Sequence, residues 1–131
     1  MAPVEIADDT FIVAAPADVT AVVADEGRWR QWWPDLTLTV AQDRGPAGLV
    51  WAVRGPLDGE MEIWLEPVAD GVVLHYLVRA EAAGPRPDRQ RQRRTRAWKQ
   101  HVHRLKDELE AGREPGRPRQ EAVKERGPTA E

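Results

Sequence analysis

The sequence predicts an α+β domain in which a curved antiparallel sheet of about five strands grips a long C-terminal helix, with two short helices after the first strand. Three observations carry this prediction. Four apolar runs between residues 36 and 81 are separated only by short turn-forming stretches, which leaves no room for parallel crossovers. One apolar stripe, Trp98, Val102, Leu105 and Leu109, recurs at helical spacing near the end of the patterned region. Between the first strand and the later runs, a proline and three valines announce a helix.

The elements follow in order. Residues 4–14, VEIADDTFIVA, carry β-branched and aromatic residues and are expected to form one strand, bent at the acidic ADD. Pro16 fits a first helical turn, and Asp18 places negative charge at its positive end. Val19, Val22 and Val23 give this helix one narrow buried face, with Gly27 as its expected stop. RWRQWW at 28–33 is a second helical turn, closed by Pro34, which pushes the residue before it out of the α region. Four strands are expected at 36–42, 48–54, 60–67 and 72–81, with turns at 43–48, 55–59 and 69–71. A helix over about 88–111 ends the folded unit, so the domain is read as residues 1–111. From residue 112 the chain, GREPGRPRQEAVKERGPTAE, is too poor in apolar residues to offset its ordering entropy and is read as a disordered polar tail.

Composition excludes several chemistries. The chain of 131 residues has no cysteine, so disulfides, thiolate nucleophiles and thiolate metal sites are out. Its formal charge of −3 names no partner. The N-terminal MAPVEIADD lacks the basic flank of a secretory signal, and no apolar run approaches the roughly 20 residues of a membrane span, so a cytoplasmic location is expected. No nucleophile elbow, phosphate loop or zinc-protease motif occurs, and no cofactor is expected.

A resemblance joins these readings. The stretch AAPADVTAVVADEGRWRQWWPDL at 14–36, the segment GLVWAVRGPLDGEMEIWLEPVADGVVLHYLVRAE at 48–81 and the ending AWKQHVHRLKDELEAG resemble the START-like superfamily, also called SRPBCC or Bet v 1-like. Within it they are similar to short actinobacterial members of the polyketide cyclase/dehydrase and lipid transport group. The resemblance implies a helix-grip fold that binds an apolar or amphipathic small molecule between sheet and helix. The family pattern has about six strands after the two short helices, whereas four are found here; a missing hairpin implies a small or closed cavity.

Strand parity then sorts candidate residues. Leu49, Trp51 and Val53 share one face, as do Met61, Ile63 and Leu65, and Val72, Leu74, Tyr76 and Val78. The opposite face of the third run carries Glu60, Glu62, Trp64 and Glu66 and is expected to be wet. Trp33, Trp51, Met61, Tyr76 and Trp98 are the candidate walls of a ligand cavity, or else the filling of a core. Trp29, Trp32 and Trp33 cannot all face one row of bases, so they read as the closure of one end of the fold, with one of them lining a cavity mouth as the alternative, and nucleic acid is not the expected partner.

His101 and His103 lie about 200° apart around a helix and cannot share one metal. His101 sits beside the apolar stripe and is the candidate general acid/base, with Tyr76 as its partner in a cyclase-like site; a hydrogen-bonded packing role is the alternative. Arg89, Arg93 and Arg96 form a basic face at the positive end of the long helix and are the candidate anion-binding set. Their charge calls for compensation by acidic side chains or an anionic partner, unless the helix starts later, near Thr95. Three functions follow: a non-catalytic ligand carrier, a cyclase- or aromatase-like enzyme, and a module that docks an anionic partner through residues 86–99.

Overall fold

A computed structural model describes residues 2–111; the tail expected from 112 lies outside the described residues. Strand β1 (Ala2–Ile12) leads into helices α1 (Pro16–Val23) and α2 (Glu26–Trp32). Then come β2 (Thr37–Asp43), a short 3-10 turn (Gly45–Ala47), β3 (Gly48–Arg54), β4 (Leu57–Val68), β5 (Gly71–Ala82) and the long helix α3 (Pro87–Glu110). All pairings are antiparallel, in the spatial order β1-β5-β4-β3-β2, so β1 and β2 are the two edges.

Alternation builds the sheet as parity requires. Trp51, Val53, Met61, Ile63, Leu65, Val72, Leu74, Tyr76 and Val78 are all buried, while Trp64 stays 41% exposed on the other face. Four strands follow the two short helices, matching the four apolar runs. The third of these starts earlier than expected: Leu57 is in phase with Met61 and is buried, which shortens the preceding turn to Gly55 and Pro56. Gly55 takes φ +124°, a conformation that glycine adopts without a Cβ penalty.

Two local expectations are corrected. The ADD stretch does not interrupt β1, because Asp8 and Asp9 pair in unbroken register with Tyr76 and His75 of β5. Nor does Gly27 stop α1. That helix ends at Val23, and Asp25 caps α2 by accepting the Gly27 backbone N–H at 2.9 Å, so Gly27 lies in the first turn of the next helix.

Helix α3 begins at Pro87, not near Thr95, and buries Trp98, Val102 and Leu105 beneath it. It packs along β1, on the side opposite the open β2 edge. Polar groups pin it there. Asp8, in phase with the inward-facing Val4, Ile6 and Ile12, accepts the Trp98 indole N–H at 3.3 Å and pairs with Lys99. One turn from the far end, Lys106 donates to the Phe11 carbonyl at 2.7 Å, and Glu110 accepts the Val13 N–H at 2.8 Å.

The basic start of α3 is compensated locally in part. Arg94 grips Asp35 at 2.7 Å, Arg91 pairs with Asp88, and Lys99 with Asp8. The acidic β4 face is not the partner, since Glu62 pairs with Arg44 and Glu66 with His75.

Candidate functional site: a walled aromatic core and the clefts beside it

Helix α2 delivers three indoles because its short turn spaces Trp29 and Trp33 four apart, with Trp32 alongside. They join Trp51 of β3, Tyr76 of β5 and Trp98 of α3 in one continuous cluster. Tyr76 and Trp98 stack at 4.2 Å between centroids, and Trp33 lies parallel to both at about 6 Å. Trp51 meets Trp29 and Trp33 edge-on at 5.2 and 5.3 Å, and Trp32 meets Trp98 edge-on at 5.6 Å. Such contacts add about 0.5–1.5 kcal/mol per pair beyond area burial.

All five candidate wall residues are here. Trp33, Trp51, Met61, Tyr76 and Trp98 are each at most 5% exposed, and the Tyr76 hydroxyl donates to Met61 Sδ at 3.4 Å. The rings lie in contact with one another, so the space under α3 is occupied by side chains.

Open space lies instead beside α2. One cleft of about 310 Å³ runs between α2 and β2, over Trp29, Trp33, Pro34, Leu36, Leu38 and Val40, with Glu26 and Arg30 at its rim. A second, of about 370 Å³, runs beneath the α1–α2 elbow to β3 and β4, over Val23, Trp29, Val40, Gly48, Leu49 and Leu65. Glu26, Trp29 and Val40 line both clefts, whereas Trp51, Tyr76 and Trp98 line neither. Trp29 is the wall between them. Its indole N–H donates to the Val23 carbonyl at 2.6 Å, and its ring is only half-buried.

The candidate acid/base pair is not brought together around one opening. His101 looks into a separate cleft of about 520 Å³ between α2 and α3, with Arg28, Gln31, Trp32 and Arg104. Burial, and then the Arg104 charge, lower its pKa, so it is neutral at neutral pH. Tyr76 is elsewhere, and burial raises its pKa far above the ordinary tyrosine range, against small opposing effects from Trp33 and Arg94. Arg89, Arg93 and Arg96 are exposed on α3 and have no carboxylate partner among the described residues. No group of three or more potential metal-binding side chains occurs among the described residues.

Sequence reasoning missed two features. Asp8 reads as part of an acidic bend, although the in-phase pattern Val4, Ile6, Asp8, Thr10, Ile12 already places it on the inner face. His75 stacks on Trp64 at 4.3 Å and bonds Asp9 at 2.7 Å and Glu66 at 2.9 Å. Burial lowers its pKa, but the bonds and charges of Glu66 and Asp9 together outweigh this and raise it. That trio spans three strands, which a linear reading cannot see.

No protein-family model matches the chain, and no curated protein matches it. Solved structures do. The Aha1 dimer from Colwellia psychrerythraea superposes with TM-score 0.63 at 18% identity over 85% of this chain and 99% of that one. CalU16 from Micromonospora echinospora gives 0.64 at 16% identity over 85% and 77%. DynU16, from the dynemicin biosynthetic locus, gives 0.59 at 20% identity, covering 86% of this chain and 49% of that longer one. At such identities the likeness speaks for architecture alone, and with the five-stranded sheet, paired short helices and long terminal helix it gives this chain the helix-grip fold.

Proposed function

We propose that this chain binds a small apolar or amphipathic molecule at the α1–α2 elbow, beside α2 and not beneath α3, and does so without catalysis. One observation carries the reading: the half-buried Trp29 ring stands between two clefts of ligand size, floored by apolar side chains and rimmed by Glu26 and Arg30. The filled aromatic core makes a rigid back wall for them. Binding is tested by titrating oleate and 1-anilinonaphthalene-8-sulfonate against the full chain, followed by tryptophan fluorescence and amide shifts. Perturbation centred on Trp29 and Val40 supports the site. Shifts confined to α3, or none, would overturn it.

A cyclase-like reaction through His101 and Tyr76 has less support, because they face different surroundings and the Tyr76 hydroxyl is already engaged by Met61. Docking of an anionic partner is a second reading, favoured by Arg89, Arg93 and Arg96 on one exposed helix face, which have no carboxylate partner among the described residues. Binding to heparin that weakens steeply with salt, and is lost when all three become glutamine, is its expected signature.

A further inference from the structure

Among the described residues, a single buried side-chain polar atom lacks a hydrogen-bond partner: the indole Nε1 of Trp51. Its neighbours set it apart. The Trp29 N–H has the Val23 carbonyl and the Trp98 N–H has Asp8, whereas Trp51 is fully buried against the Trp29 and Trp33 rings. A ring can receive an N–H only weakly compared with an oxygen. A buried donor left unmade is costly, and native structures retain few of them.

Its position relates this orphan to the clefts. Trp51 lies one ring behind Trp29, and Trp29 separates the two openings. That partition sits on a seven-residue helix and is tied by one side-chain hydrogen bond. Resting on the ligand-binding reading above, we propose that a ligand displaces the Trp29 ring, joins the two clefts into one chamber, and places an oxygen on the Trp51 indole N–H. The chemistry of the chamber sets the ligand class. An indole N–H only donates, so the ligand supplies an acceptor. A carboxylate carried so deep would exchange its hydration shell for a single neutral N–H donor, which compensates it poorly. The fitting ligand is therefore a neutral apolar molecule bearing a carbonyl oxygen.

A matched pair of probes tests this: 2-acetylnaphthalene, which carries a ketone, and 2-isopropylnaphthalene, of similar shape without an acceptor. Nitrogen-15 spectra of the full chain should show the Trp51 indole proton moving downfield with the ketone and not with the hydrocarbon. The ketone should bind about tenfold more tightly, the equivalent of one ordinary hydrogen bond gained. Trp51→Phe should erase that preference, and Trp29→Ala should tighten both probes. Equal affinities, or a Trp51 resonance that ignores the ketone, would overturn the donor role while leaving cleft binding intact. If neither probe binds wild type or Trp29→Ala, cleft binding falls too. Should Trp51→Phe not fold, the wild-type indole resonance still decides.

Discussion

The two halves of the sheet's inner face are built in opposite ways. Along β1, helix α3 closes down through Trp98, Val102 and Leu105, with Trp98 stacked on Tyr76, and its polar ties reach the inner carboxylate of Asp8 and the backbone at Phe11 and Val13. Along β2, where all but one residue of the strand are exposed, the shorter α2 leans over the sheet and leaves clefts on both sides of Trp29. One long amphipathic helix with anchors at both ends can seal a surface, whereas two short helices meeting at an elbow cannot. The sealed half supplies rigidity, and the open half supplies access.

Substitution of matched aromatics gives the largest expected contrast. Trp98→Ala should cost about 3–5 kcal/mol in urea unfolding, the usual range for a fully buried ring. Trp29→Ala should cost only about 1–2 kcal/mol, as its ring is partly solvated and borders open space. Similar losses at the two positions would erase the distinction between the halves.

Asp8 sharpens the comparison next. Its side chain is 7% exposed, and Asp8→Ala strands both the Trp98 N–H and Lys99, an expected loss of about 1–3 kcal/mol. Asp8→Asn keeps an acceptor for the indole and should lose less. By contrast, the bidentate Arg28–Glu108 pair that ties α2 to α3 lies at the surface, and Arg28→Ala should cost at most about 1 kcal/mol. Thermal melts of the three variants at equal ionic strength measure the order.

Protonation separates two histidines with opposite signs. The folded pKa of His75 is raised, so the stability it gains from Glu66 and Asp9 is fully present below its ordinary value near 6.5 and is lost as pH rises through the folded value. The folded pKa of His101 is lowered, so its neutral form is favoured and stability falls as pH drops below 6.5 towards the folded value. Urea midpoints from pH 5 to 8 should therefore gain slope in opposite directions in His75→Gln and His101→Gln. The smallest expected effect belongs to the basic face of α3: replacing Arg89, Arg93 and Arg96 with glutamine should shift stability by no more than about 0.5 kcal/mol per site.

Much of this architecture was legible in the chain because period-2 and period-3.6 patterns report burial directly. The Trp98, Val102, Leu105 stripe and the inward parity of Trp51, Met61 and Tyr76 needed no partner to be recognised. Gly27 misled because a glycine after a valine-rich helix reads as a stop, while the capping carboxylate of Asp25 two residues earlier governs the boundary. Asp8 was obscured by its acidic neighbour, although its phase was visible. That one indole of the RWRQWW run lines an opening was an alternative the sequence allowed, but that Trp29 divides two clefts was not legible, since a cleft is space between segments distant in sequence.

Local sequence by itself determined the order of elements, the faces of the strands and the helix that covers them, because each depends on spacing between residues a few positions apart. Tertiary structure alone decided that six aromatic rings from α2, β3, β5 and α3 meet in one cluster, that the openings fall beside α2, and that one buried indole is left without an acceptor among the described residues. Those outcomes depend on how volumes from α2, β3, β5 and α3 meet in space, a sum over residues up to 69 positions apart in the Trp29 to Trp98 cluster, which no local pattern encodes.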